Sequence, residues 1–69
     1  MLSFEIIESG KAIQIYADGD GLLLLRKALE RVTERGHLHL RSPPNGGNDL
    51  NDANPWEQAA IGEVIISAA

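Results

Sequence analysis

The chain has 69 residues, enough for one small domain spanning residues 1–69 and too few for two. Hydrophobic residues make up 43%, so a core can form, and the absence of cysteine excludes disulfides and thiolate metal sites. The net charge of −4 argues against nucleic-acid binding and favours a basic protein partner. We expect no targeting or membrane segment, hence a cytoplasmic protein.

Apolar and polar residues alternate over residues 3–8 and again over 11–17, which predicts two strands. Ser9 and Gly10 between them are typical of a two-residue hairpin turn. This turn sets an antiparallel register in which apolar side chains meet on one face, and we expect that face to be buried. The apolar pairs are Ile6 with Ile13 and Phe4 with Ile15.

Residues 19–35 have the apolar spacing of an amphipathic helix. Asp18 is the expected N-cap, Arg31 and Arg35 lie in the last turn, and Gly36 is a natural stop. The stripe expected to face the sheet consists of Leu22, Leu25, Ala28, Leu29 and Val32.

The last part of the chain contains two more predicted strands, at residues 37–41 and 61–67. Between them, residues 42–57 form a long loop rich in Pro, Asn, Gly and Asp, a length that in a small domain indicates either function or disorder. The predicted fold is α+β. It is a four-stranded, mostly antiparallel sheet with one helix on one face, in the order strand-strand-helix-strand-strand.

One helix can cover only one face of such a sheet, so the other face should be open. Three large side chains, Ile7, Tyr16 and Ile65, are expected there. They can be scattered surface residues, or a patch for a partner or for a second copy of the chain. A homodimeric structural or regulatory module is therefore the alternative to a module that binds another protein.

The sequence contains no convincing catalytic or metal-binding set. His37 and His39 on one strand face could share a zinc ion, but H-x-H alone is a weak signal and no third histidine or cysteine exists. No nucleophile motif or phosphate-binding loop is present. We therefore expect a protein that is not an enzyme and that holds no metal or other cofactor.

The segment Gly36–Leu50 carries a His-Leu-His-Leu strand, then Ser42-Pro43, Gly46-Gly47 and Leu50. Together with the preceding hairpin and the helix opened by Asp18 near Gly21, this pattern resembles a family of short bacterial immunity proteins that accompany polymorphic toxins. The resemblance implies a protein that binds and neutralises a co-expressed toxin. The chain differs from the family pattern in its second proline, Pro44, and in the Asn-rich stretch after Leu50.

We predict that a partner contacts the loop and the open face. The candidate partner-binding residues are Tyr16, His37, His39, Arg41, Asn45, Asp49, Asp52 and Trp56. For Trp56, the only tryptophan, two interpretations remain open. It can fold back as a plug over the sheet edge, or it can stand in the interface as an anchor.

Overall fold

The structure of the chain is a computed structural model. The structure describes the backbone of residues 1–69 and the side chains of residues 1–32 and 36–69. It confirms the α+β class and the predicted order of elements. The elements are β1 (Leu2–Ile7), β2 (Ala12–Ala17), α1 (Gly19–Arg35), β3 (His37–Arg41) and β4 (Glu63–Ser67). Nowhere in the described chain is a helix long and apolar enough to cross a membrane.

The first hairpin has the predicted register, with Ile6 opposite Ile13 and Phe4 opposite Ile15. Its connection is a tight turn in which Ser9 and Gly10 both have positive φ, 56° and 88°, and the N–H of Lys11 donates to the carbonyl of Glu8 at 3.1 Å. Positive φ at both central residues suits the twist of a two-stranded hairpin.

Helix α1 begins at its predicted cap. The Asp18 carboxylate accepts a hydrogen bond from the N–H of Gly21 at 2.9 Å and lies 2.6 Å from the N-terminal ammonium of Met1. Gly21 is buried against the carbonyl of Met1, where an added Cβ would clash. The helix ends before Gly36, as predicted, whereas the expected role of the Arg35 side chain lies outside the described residues.

The four strands are divided between two antiparallel two-stranded sheets, β1 with β2 and β3 with β4. The intervening segment, residues 42–62, joins them through backbone hydrogen bonds along the second edge of β1. Leu2 accepts from the N–H of Asn51 at 2.8 Å, and Phe4 accepts from the N–H of Ile61 at 2.8 Å. The backbone N–H of Ser42 donates to the carbonyl of Gly62 at 2.9 Å, which joins the two ends of the segment. The loop is therefore part of the scaffold.

The core lies where α1 packs against both two-stranded sheets and the segment between β3 and β4. Its buried apolar members are Leu2, Phe4, Ala28, Leu40 and Leu50, with Val32 also buried. Half-buried side chains from all other elements pack around them, including Leu38, Val64 and Ile66.

Five aliphatic side chains that the sequence placed in the core are instead exposed. They are Ile6, Ile13, Ile15, Leu22 and Leu29, each between 45% and 65% exposed. The helix must cover both pairs of strands, so on the β1–β2 hairpin it reaches only the end that carries Leu2 and Phe4. The half of that hairpin nearest the turn, and one flank of the helix, remain uncovered.

Candidate partner-binding surface

Trp56 stands at the tip of a tight turn formed by Asn54, Pro55, Trp56 and Glu57. The N–H of Glu57 donates to the Asn54 carbonyl at 2.9 Å, and the Asn54 Oδ1 accepts from the N–H of Trp56 at 2.9 Å. An Asn at the first position and a Pro at the second are the residues that such a turn prefers. The turn fixes the backbone of Trp56 while its side chain remains 68% exposed.

Asn54 also attaches this turn to the first hairpin. The side chain is 5% exposed, and its Nδ2 donates to Glu5 Oε1 at 3.0 Å and to Gln58 Oε1 at 3.2 Å. Its Oδ1 accepts a second hydrogen bond from the N–H of Gln58 at 3.0 Å. A buried amide with both ends satisfied holds the turn rigidly against β1.

The Trp56 ring meets Tyr16 edge-on, with centroids 5.3 Å apart and an interplanar angle of 72°. This is a favourable aromatic arrangement. Burial of the hydroxyl, then the negative charge of Glu5 and a hydrogen bond to it, raise the pKa of Tyr16. The Glu5 carboxylate thus lies beside the aromatic pair, and Glu57 follows Trp56 in sequence.

A second cluster lies on the outer face of β3 and β4. Glu63 Oε2 is 2.7 Å from Arg41 Nε and 2.8 Å from His39 Nδ1, and the His37 ring packs edge-on against His39 with centroids 5.4 Å apart. A proton on Nδ1 lets His39 donate to the carboxylate, which makes the 3.4 Å approach of Arg41 Nη2 to the same nitrogen a simple contact.

This cluster is largely neutralised internally. Hydrogen bonds from Arg41, and then from His39, lower the pKa of Glu63. The positive charge of Arg41 is therefore committed to a neighbour and is less available to a partner than the sequence implies. Among the described residues, no group of three His, Cys, Asp or Glu side chains is close enough to hold a metal ion.

Three of the four candidate residues in the loop, Asn45, Asp49 and Asp52, take part in hydrogen bonds within the scaffold. Asn45 Nδ2 donates to the Ser42 hydroxyl at 3.1 Å, and Asp49 Oδ2 accepts from the N–H of Arg41 at 3.3 Å. The carbonyl of Asp52 accepts from the N–H of Ala60 at 3.0 Å, although its side chain is exposed. The structure gives Asn45 and Asp49 scaffold contacts.

The expected open face is partly covered. Ser3, placed there by its parity, is fully buried beside the segment that pairs with β1, and Ile7 and Tyr16 are half-buried, whereas Ile65 is exposed. The turn of Asn54 and Trp56 packs on the side chains of Glu5 and Tyr16, which share this face with Ser3.

The predicted residues therefore fall into an aromatic group, Tyr16 with Trp56, and an ionic group, His37 with His39 and Arg41. Sequence reasoning missed Asn54, which orients Trp56, although the Asn-Pro pair is a known turn signal. It also missed the pairing of Arg41 with Glu63, which requires the β3–β4 register.

Comparison of the chain with protein-family models, with curated proteins and with solved structures found no match.

Proposed function

We propose that this chain is a protein-binding module whose partner is a basic protein, and that the partner is a co-expressed bacterial toxin. The binding surface centres on Trp56 and Tyr16, with Glu5 and Glu57 around them. The observation that carries the proposal is an exposed tryptophan held in a fixed orientation by Asn54 and Tyr16.

A tryptophan presented in this way binds at low entropic cost. Its backbone is fixed by the turn and its ring already rests on Tyr16, so little freedom is lost when a partner covers it. Tryptophan and tyrosine are also the residues that most often dominate the binding energy of an interface. A core plug would instead be buried, and Trp56 is 68% exposed.

The acidic surroundings indicate the charge of the partner. The chain carries −4 overall, and the Glu5 carboxylate lies beside Tyr16. Such a surface raises the association rate of a basic protein and repels an acidic one. The toxin class of partner rests on the resemblance of Gly36–Leu50 to immunity proteins. A cytoplasmic location is a separate part of the proposal.

The experiment that tests this function is co-expression. The C-terminal domain encoded by the gene next to this one is induced in a bacterial host, alone or with this chain. We expect growth arrest that this chain relieves, and weaker relief by Trp56→Ala. Leu23→Ala, an exposed change on the helix, is the matched control and should relieve arrest fully. A toxic domain that the wild-type chain neither binds nor neutralises would contradict the toxin assignment.

A further inference from the structure

The outer edge of β2 is open. The N–H of Asp18 donates to the carbonyl of Met1, and in an antiparallel pair every second residue bonds to the neighbouring strand. Counting back along β2 from Asp18, Tyr16 and Gln14 are therefore residues whose backbone groups bond to β1. The backbone groups of Ile13 and Ile15 therefore point away from β1. Within the described residues, no hydrogen bond to either is present. By contrast, the outer edge of β1 is occupied by Asn51 and Ile61.

This open edge lacks every usual protection. Soluble proteins block edge strands with charged side chains, proline, bulges or a covering loop. The strand Ala12–Ala17 reads Ala-Ile-Gln-Ile-Tyr-Ala, with no charge and no proline, and it pairs with β1 in unbroken register. An edge of this kind readily accepts another strand.

An aliphatic surface continues from this edge, consisting of Ile6, Ile13, Ile15, Leu22 and Leu29 and called here the aliphatic face. The three isoleucines lie on the helix side of the hairpin. Ile6 points to the same side of β1 as buried Leu2 and Phe4, and Ile13 and Ile15 are the cross-strand partners of Ile6 and Phe4.

Leu22 and Leu29 belong to the same surface by elimination. Leu24, Lys27 and Arg31 line a groove with β3, and helical spacing puts Leu22 and Leu29 on the opposite flank of α1. Because α1 also contacts β1 and β2, we assign this flank to the side of the first hairpin.

We infer that the aliphatic face and the β2 edge bind a second copy of this chain, in a two-fold dimer with antiparallel β2–β2 pairing. With the axis at Gln14, Ile13 of each copy bonds to Ile15 of the other, and the two hairpins form one continuous four-stranded sheet. Both helices then lie on the same face of that sheet, and the isoleucines that α1 leaves uncovered meet across the two-fold axis.

Self-pairing fits this strand in both charge and area. No like charges meet, because Ala12–Ala17 contains none, and aliphatic side chains meet aliphatic side chains across the axis. The five side chains expose on the order of 500 Å² per copy, a large part of the roughly 800 Å² that each partner contributes to a stable interface. The Trp56 turn contacts the side chains of Glu5 and Tyr16, which lie on the sheet face opposite the aliphatic face, so the dimer leaves this turn free.

The test is the oligomeric state, measured by light scattering and by sedimentation. We expect a dimer at about 100 μM and at least a tenfold weaker dimer for Ile15→Lys, because the lysine places like charges in the interface. Ile13→Lys is a second variant with the same expectation, in case one of them fails to fold by circular dichroism. Ile65→Lys, on β4 at 57% exposure, is the matched control and should dimerise like the wild type.

Amide hydrogen exchange checks the geometry. The amides of Ile13 and Ile15 should exchange slowly at high concentration and rapidly on dilution, whereas Gln14, which bonds to β1, should stay protected at both. A wild-type chain that remains monomeric at about 1 mM would overturn the proposal. A dimer that survives both lysine variants, or larger assemblies that a two-fold contact cannot build, would also overturn it.

Discussion

Leu50→Ala tests whether the segment between β3 and β4 is part of the scaffold. The Leu50 side chain is 3% exposed and belongs to the same apolar cluster as Leu2, Phe4 and Leu40. Leucine-to-alanine changes at such sites cost about 2–5 kcal/mol, and the loss rises with the cavity that remains. The loop cannot collapse freely into this cavity, because its backbone is fixed to Arg41 by two N–H groups, at 3.0 and 3.1 Å, and to Leu2 by another.

We therefore expect a loss of about 3 kcal/mol in the free energy of unfolding, a large share of the stability of a domain this small. The assay is urea unfolding at equilibrium, followed by circular dichroism, with Leu23→Ala as the control. Leu23 is 46% exposed, so its truncation should cost much less. A loss below about 1 kcal/mol for Leu50→Ala would refute the view that the loop holds the two sheets together.

Three further predictions follow from single groups. Ser3→Ala should stabilise the fold or leave it unchanged, because the buried Ser3 Oγ has no hydrogen-bond partner among the residues that the structure describes. Ser42→Ala should instead cost about 1 kcal/mol, because it removes the acceptor of the Asn45 side chain; urea unfolding of both variants checks this. Glu5→Gln should lower the pKa of Tyr16 towards its ordinary value, read from absorbance during an alkaline titration of the only tyrosine. Hydrogen bonds from the N-terminal ammonium, and then from the Gly21 N–H, lower the pKa of Asp18 in the folded state. The ionised carboxylate therefore stabilises the fold above the ordinary pKa of 3.8, and this stabilisation is lost as the pH falls through the lowered pKa. Melting temperatures from about pH 6 to about pH 2 should therefore fall less steeply for Asp18→Asn than for the wild type.

The local elements of this fold were predictable because their signals are local. The register of β1 and β2 follows from the Ser9-Gly10 turn together with the apolar pairing of Ile6 with Ile13. The start of α1 follows from a single side chain, Asp18, which caps it as expected. In both cases a few neighbouring residues determine the backbone.

The arrangement of these elements was not predictable, because periodicity identifies an apolar face without saying what covers it. Alternation correctly placed Ile13 and Ile15 on the same face as Phe4, but only the tertiary structure shows that α1 stops short of them. The split into two sheets likewise depends on the backbone of Asn51 and Ile61, which bond to the outer edge of β1. The sequence did not indicate whether β1 or β2 would join the other pair of strands.

The candidate surface was predictable in part. Trp56 was a candidate because it is a lone tryptophan in a polar loop, but its contact with Tyr16 and its support by Asn54 join residues far apart in sequence. Asp49 and Asn45 were candidates on composition alone, and the structure shows them bonded within the scaffold. Polar residues in a loop can equally serve to satisfy its backbone.

The most direct test of the central claim is the affinity of wild-type and Trp56→Ala chains for the same toxin domain, measured by titration calorimetry. We predict a loss of about 2 kcal/mol, roughly thirtyfold in Kd, with a nearly unchanged melting temperature, because the ring is 68% exposed in the free chain. Leu23→Ala should bind like the wild type. Equal affinities for the wild type and Trp56→Ala, with both chains folded, would contradict the account.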